Sequence, residues 1–401
     1  MEYHIKGLIK TNKKDNNGLG VFEYTRNDYE QKELDDKKQS FYIVRNNNNN
    51  WIINKNVHLD FDPSNSIILF RVRKSLIDEN KYEIIKPVYN NFKASKDNIK
   101  YLTNQAWYVV KSDESYVKFD NNCILKEINN DNEDYILNEN DIIKLIGNIY
   151  KIIKININKK QDNQDNKSLN EQIYNISNIN KKAGAIFNIN ISINSEDKNT
   201  ENKKCKFSDG KCNESTEPLI KLCECKNVFV HYNCLKKMLA KHLKIKNDNP
   251  KVKTYICQKF YCDQCNTPYP LRFRNERDKV YYLIDLEFPK SNYIILESLN
   301  YYENENLIKK VYVVELKERI TIGNKKDNDI IDEKISRYHA VLKYNQEKGN
   351  IILENLSEKY GTLVLIKGNI KMKEKNIHFQ VGKSLIKLNL VKKEKKENIQ
   401  K

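Results

Sequence analysis

The chain is 401 residues long, with 71 Lys and Arg against 54 Asp and Glu, a formal net charge of +17. Its length predicts about two to four domains. No apolar run approaches the roughly 18 residues that span a bilayer. The N-terminus lacks the basic-then-apolar pattern of a secretory leader, so the chain is expected inside the cell, cytoplasmic and/or nuclear, where thiols stay reduced. The positive charge is mostly lysine scattered among Asn and Ile in every segment. Nothing focuses it on one face, and nucleic acid is not the expected partner.

Residues 1–40 read as a polar N-terminal segment, with Lys13, Lys14, Asp15, Asn16 and Asn17 marking a loop. A β-rich unit is expected over 41–156. Its short apolar runs at 41–44, 67–72 and 107–110 are bounded by Asn, Asp and Ser, a pattern that predicts strands. The stretch 46–50 predicts a hairpin tip, and a strand, a turn at Gly147 and a final strand over 135–155 are expected to close the unit. Residues 157–204 carry too few bulky apolar side chains to build a core and read as a linker, with 186–193 its one strand-like piece. A cysteine-rich region follows over 205–270. Strand patterns return in a connector over 271–310 and in a β domain over 311–391, and residues 392–401 form a basic tail.

Eight of the nine cysteines fall between Cys205 and Cys265, with His231 among them. In order they are Cys205, Cys212, Cys223, Cys225, His231, Cys234, Cys257, Cys262 and Cys265. Thiolates with an imidazole in so short a span are the ligands tetrahedral zinc prefers. In a reducing compartment such a cluster means metal and not disulfides. Eight ligands suit two Zn²⁺ ions, arranged as consecutive foursomes or as a cross-brace, and spacing alone leaves both open. Leu235, Met238, Leu239, His242 and Leu243 share one helical face, predicting a helix over 233–243 that starts at the His231 and Cys234 pair. Cys123, alone in the N-terminal unit, reads as a core thiol.

Residues 219–239 and 262–269 resemble the RING-CH (variant RING, C4HC3) zinc fingers. The shared features are a Cys-x-Cys pair at Cys223 and Cys225, Val230 before His231-x2-Cys234, a helix, and Cys262-x2-Cys265 followed by Pro268 and Tyr269. The resemblance implies a cross-brace in which Cys205, Cys212, His231 and Cys234 hold one zinc. Cys223, Cys225, Cys262 and Cys265 hold the other, and Cys257 is a packed thiol. It also implies a docking surface for a ubiquitin-conjugating enzyme at Phe207, Met238 and Pro268. A ligase of this type has no nucleophile and works by restricting geometry at the enzyme it docks. The chain departs from the family at Ser208, which stands where the second ligand usually falls. It departs again at Met238, where the family commonly has Trp, and Phe207 substitutes for the apolar residue before the second ligand.

The motifs around Ile322, Gly323 and Asn324, then Asn328, Asp329 and Ile330, then Ser336, Arg337 and His339, then Tyr360, Gly361 and Thr362 resemble, in order, the forkhead-associated (FHA) domain. That implies a β-sandwich binding phosphothreonine on loops at one end, where hydroxyl, amide and cation meet a dianion. Ser336 and Arg337 occupy the phosphate-touching positions, while His339 and Gly361 hold the loops. Asn324 stands where the family has Arg, with Lys325 and Lys326 beside it, and Tyr360 replaces the Asn that grips the peptide backbone. The 142–155 stretch has the same strand-Gly-strand pattern as 379–390, so the N-terminal unit is expected to be a degenerate FHA-like sandwich.

The expected fold class is therefore multidomain and mainly β, with FHA-like sandwiches at both ends and a small α+β cross-brace zinc module between them. The expected function is a zinc-binding RING-CH/FHA protein that recruits phosphorylated proteins. The leading expectation is an E3 ubiquitin ligase or ligase adaptor that docks a ubiquitin-conjugating enzyme; the alternative is a non-catalytic scaffold, and a PHD-like chromatin reader is a third reading because it shares the C4HC3 order. No residue takes a catalytic role.

Overall fold

The computed structural model describes residues 3–12, 29–36, 40–46, 51–54, 66–74, 82–85, 106–110, 135–157, 204–207, 219–223, 225, 227–274, 280–299, 302–303, 306–357, 360–365, 370–372, 377–381 and 384–392. The second ligand position Cys212, Cys123, Ser208, the tip at 47–50, the strand-like 186–193 and the tail beyond 392 lie outside them. Among the described residues the chain is mainly β, with one helix, Tyr232–Ala240. No described helix is long and apolar enough to cross a membrane.

The C-terminal half builds a two-layer sandwich. One layer runs Ile330–Ile331, Arg319–Gly323, Ala340–Asn345, Asn350–Asn355 and Tyr135–Ile136. The other is part of a 13-stranded sheet and runs Asn306–Glu315, Tyr293–Ser298, Asn148–Asn156, Ile142–Leu145 and Thr362–Leu365. Side chains alternate faces along a strand, so Ile320 and Ile322, Ala340 and Leu342, and Ile351 and Leu353 point into one core. There they meet Ile143, Leu145, Ile152, Ile294 and Leu296. Tyr293–Ser298 is buried along its whole length. Ile294 and Leu296 enter the sandwich core, while Tyr293 and Ile295 pack beneath the cysteine region. A strand covered on both faces reads as an unbroken apolar run, and the stretch expected as a connector, 271–310, thus supplies the central strand Tyr293–Ser298 and the start of Asn306–Glu315.

The 142–156 hairpin closes a different unit from the one its position in the chain suggests. Ile142–Leu145 pairs with Thr362–Leu365, Asn148–Asn156 with Tyr293–Ser298, and Tyr135–Ile136 with Asn350–Asn355. In return, Ile370–Met372 pairs with Tyr82–Ile85, Ile377–Val381 with Ala106–Val110, and Ser384–Lys392 with Tyr3–Asn12. Each half gives its last three strands to the other. The two hairpins carry the same aliphatic-Gly-aliphatic pattern, which specifies a hairpin but not the sheet that receives it.

With the exchange made, the N-terminal strands repeat the C-terminal order. One layer runs Trp51–Asn54, Ser40–Asn46, Ser66–Lys74, Tyr82–Ile85 and Ile370–Met372. The other runs Tyr29–Asp36, Tyr3–Asn12, Ser384–Lys392, Ile377–Val381 and Ala106–Val110. Residues 1–40 therefore supply two strands where the sequence suggested a polar lead-in, because backbone pairing builds a strand even where the apolar pattern is thin. The two sandwiches share one sheet because Thr362–Leu365 pairs with Ile142–Leu145 on one side and Ala106–Val110 on the other. Trp107, Ile142, Ile149 and Leu363 bury the seam.

The cysteine region is attached to the edge of the same sheet. Val252–Gln258 pairs with Asn306–Glu315 on one side and Leu243–Asn249 on the other. That second pairing shortens the expected helix. Lys241 and His242 donate their amides back to Met238 and Leu239, and from Leu243 the backbone is in register with Cys257.

Candidate metal centres and phosphate-binding loops

Two groups of metal-ligating atoms come together among the described residues. Cys223, Cys225, Cys262 and Cys265 form one, and Cys205, His231 and Cys234 the other, with the ligand atoms of each within 4.8 Å of one another. Ligands about 2.3 Å from a tetrahedral zinc stand about 3.8 Å apart. Cys225 Sγ and Cys262 Sγ are 4.0 Å apart, and Cys234 Sγ lies 3.9 Å from His231 Nδ1. Along the chain the members of the two groups interleave, Cys205 preceding Cys223 and Cys225, and His231 and Cys234 preceding Cys262 and Cys265. The described cysteines are free thiols.

Local structure explains the placement. His231 ends the short strand Val230–His231 and occupies the N-cap of Tyr232–Ala240, yet makes no side-chain cap bond. Its ring turns instead toward Cys234 in the first helical turn, and its backbone N–H donates to Cys205 Sγ at 3.3 Å. The knuckle of Cys262 and Cys265 is closed by the Asn266 amide donating to the Cys262 carbonyl at 2.8 Å. Asn266 has φ 54°, a conformation Asn tolerates better than most side chains.

The electrostatics suit a cation. Burial, reinforced by the neighbouring Cys262, pushes the Cys223 thiol up to about 12. Burial also opposes ionisation of Cys265, but the hydroxyl and amide of Thr267 bring it down to about 6, with Thr267 Oγ1 3.1 Å away. Four sulfurs gathered this closely cannot all ionise without a counter-charge, and a coordinated dication removes the conflict. The donor sets therefore fit metal ions. Cys257 stands apart. It is fully buried, its thiol donates to the Leu239 carbonyl at 3.6 Å, and burial raises it to about 12.

Phe207 and Met238 are partly buried against the core of this module, whose centre is Leu235, Leu239, Phe260 and Tyr269. Pro268 is exposed. Sequence reasoning missed how the module meets the sandwich. Lys309 and Glu297, both nearly inaccessible, form a 2.5 Å ion pair across adjacent strands. The Lys309 ammonium also lies 5.6 Å from the Phe260 ring centre. Burial lowers neighbouring Lys151 to about 8, against the pull of Glu297. Lysines inside apolar strands were the only sequence signal.

At one end of the C-terminal sandwich, the loops carrying the FHA motifs converge. His339 is fully buried, accepts the Ser336 amide at Nδ1 (3.4 Å) and donates from Nε2 to the Gly361 carbonyl (3.0 Å). Burial holds the ring neutral, with its pKa lowered to about 4. Gly361 has φ +66°, which favours glycine. Gly323 is required by close approach, since a Cβ there would stand 2.1 Å from the Arg337 carbonyl oxygen. Thr362 is buried and hydrogen-bonds the Asn355 side chain at 3.0 Å.

The residues expected at phosphate divide into two kinds. Arg337, Lys325 and Lys326 are exposed, and the partly buried Ser336 hydroxyl lies 3.0 Å from that of Ser357. Asn324 instead braces the loop. Its side chain donates to the Ile335 carbonyl at 2.8 Å and its amide to that of Ser336 at 3.0 Å. The Tyr360 amide donates to Ser357 Oγ at 3.3 Å. Two residues not assigned a site role from sequence tie these loops together. Asn328 donates to the carbonyls of both Lys325 (3.0 Å) and Arg337 (2.8 Å), and Ser357 bridges Ser336 to Tyr360.

No curated protein and no solved structure matches the chain. The family profile of the FHA domain matches residues 320–378, from the strand before Gly323 past Thr362. The match is confined to those residues of a mainly β chain, and FHA domains as a class bind phosphorylated peptides.

Proposed function

We propose that this chain is an intracellular recruitment protein in which the FHA loops hold a phosphothreonine segment and the cysteine region is a RING-CH-type module with two Zn²⁺ ions. In this reading Cys212 completes the group of Cys205, His231 and Cys234. The carrying observation is the set of exposed cations, Arg337, Lys325 and Lys326, beside the Ser336 hydroxyl on loops braced by Asn328 and His339. The hydroxyl and the guanidinium offer charge-assisted donors to the phosphate, and the braces reduce the ordering cost of binding. An oriented phosphothreonine peptide library tests the reading. Enrichment over the matching threonine library is expected, and equal retention of the two sinks it.

What the zinc module does is a separate matter. Met238, standing where a Trp would present a broad apolar face, packs partly against the module's own core. That favours a non-catalytic scaffold over a ligase docking a ubiquitin-conjugating enzyme through Phe207, Met238 and Pro268. An autoubiquitination panel separates the two: chains formed with any conjugating enzyme establish the ligase, and none with folded, metal-loaded protein leaves the scaffold.

A further inference from the structure

We infer that Asn148 and Tyr150, on the hairpin given by the N-terminal half, are positioning residues for the phosphate-binding loop and act through Asp332. This rests on the phosphopeptide reading of that loop. Asp332 is 1% exposed and begins the segment that leads to Ser336 and Arg337. Its Oδ1 accepts the Lys334 amide at 3.1 Å, its carbonyl accepts the Ile335 amide at 3.4 Å, and its own amide donates to the Gly323 carbonyl at 2.9 Å. Ile335 and Ser336 in turn accept hydrogen bonds from Asn324. The Asp332 side chain is thus the point at which the start of this loop is anchored to the strand carrying Asn148 and Tyr150, beside the ties that His339, Asn328 and Asn324 make further along it.

The other side of that anchor comes from far away in sequence. Asn148 Nδ2 donates to Asp332 Oδ2 at 2.7 Å across 184 positions, and the Tyr150 hydroxyl donates to the same oxygen. Both donors are buried, at 7% and 3% exposure. A buried carboxylate stripped of its donors carries a large desolvation cost, so without them the loop shifts to reach water. The FHA-matched segment 320–378 therefore lacks two groups that hold its own binding loop. They lie on a strand separated from it by the linker and the whole cysteine region.

Amide exchange and peptide binding test the inference on the full chain. Tyr150→Phe removes only the hydroxyl, and Asn148→Ala removes the amide. Each is expected to speed exchange at Lys334 and Ile335 about tenfold and to weaken retention of the phosphothreonine library by about the same factor. Ile152→Val, a core change in the same strand that does not touch Asp332, controls for general loosening and is expected to leave those two amides unchanged relative to the rest of the sandwich. Unchanged exchange at Lys334 and Ile335 in Tyr150→Phe and Asn148→Ala overturns the inference. So does acceleration that Ile152→Val reproduces. Wild-type protein that fails to enrich the library overturns the proposed function alone, because the exchange readout needs no ligand.

Discussion

The cysteine region and the sandwich it rests on are stabilised by opposite means. The sandwich has a broad apolar interior assembled by period-2 alternation on facing sheets. The cysteine region has a narrow core around Leu235, Leu239, Phe260 and Tyr269, and its loops converge on two groups of ligand atoms. In the first, many weak contacts fix each strand, so losing one is tolerable. In the second, a few side chains bring several loops together, and if they hold metal, as proposed, their loss is expected to be cooperative. The two regions nonetheless share a sheet through Val252–Gln258 and Asn306–Glu315. How far one can fail without the other is the useful question.

Removing metal should give the largest separation. Structural zinc contributes about 10–16 kcal/mol to small zinc-dependent folds. A strong chelator is therefore expected to abolish exchange protection around Tyr232–Ala240 and 262–269 while Ile320, Leu342 and Ile351 stay protected. Metal counting should give two ions per chain, and His231→Ala one. Equal loss of protection in both regions breaks the comparison and makes them one cooperative unit.

The next effect sits on the boundary. Glu297→Ala leaves Lys309 buried without its partner, a loss of about 3–5 kcal/mol. Replacing both, as Glu297→Leu with Lys309→Met, is expected to cost far less, because burying two charges offsets most of what their attraction contributes. Denaturant melts of the single and double variants decide this. If the double variant is as unstable as the single one, the pair is a net stabiliser of the joint.

This boundary also shows what the sequence could and could not reveal. The grouping of Cys223, Cys225, Cys262 and Cys265, and of Cys205, His231 and Cys234, was legible because metal chemistry restricts both residue type and local spacing, and the FHA motifs because turns and close approaches demand Gly323, His339 and Gly361. The exchange of strands was not legible. Residues 142–156 and 377–392 have interchangeable local patterns, and only the long-range pairing with Tyr293–Ser298 or Tyr3–Asn12 distinguishes them. For the same reason no local pattern marks Asp332, since its partners Asn148 and Tyr150 lie far off in the chain. Asn324 carries a role the motif did not reveal. It stands in a phosphate-contacting position of the motif, and its amide also donates to the Ile335 carbonyl.

Acid should weaken the sandwich through His339. Unfolded, this ring takes a proton near 6.5; folded, burial delays protonation to about 4. Between those values the unfolded chain binds more protons, so stability rises with pH. It is fully present above about 6.5 and is lost as pH falls toward 4, by about 3 kcal/mol in all. His339→Gln keeps a donor for the Gly361 carbonyl and cannot titrate, so its stability should change less over that window. Following only sandwich amides separates this loss from that of the cysteine region, where protons would compete with the proposed metal for thiolates. Equal slopes in wild type and variant would assign the acid sensitivity elsewhere.

The smallest effect on stability should accompany a clear effect on binding. Arg337 is exposed, and its backbone, not its guanidinium, ties the loop through Asn328. Arg337→Ala is expected to leave the melting temperature unchanged and to weaken phosphothreonine-peptide binding by about 1.5–3 kcal/mol, the range for a hydrogen bond to a charged group. Arg337→Lys should recover only part of this, because an ammonium cannot make the planar two-point contact. Lys325→Met should cost less than Arg337→Ala, since a flexible ammonium in water loses more of its attraction to solvent screening. Asn324→Arg, which restores the usual motif residue, should not tighten binding. The added charge comes with loss of the brace to Ile335, and the loop that presents Ser336 and Arg337 would loosen as the guanidinium arrived. Calorimetric titration of one enriched peptide into the four variants orders these effects. A gain in affinity from Asn324→Arg would show that charge, and not loop order, limits this site.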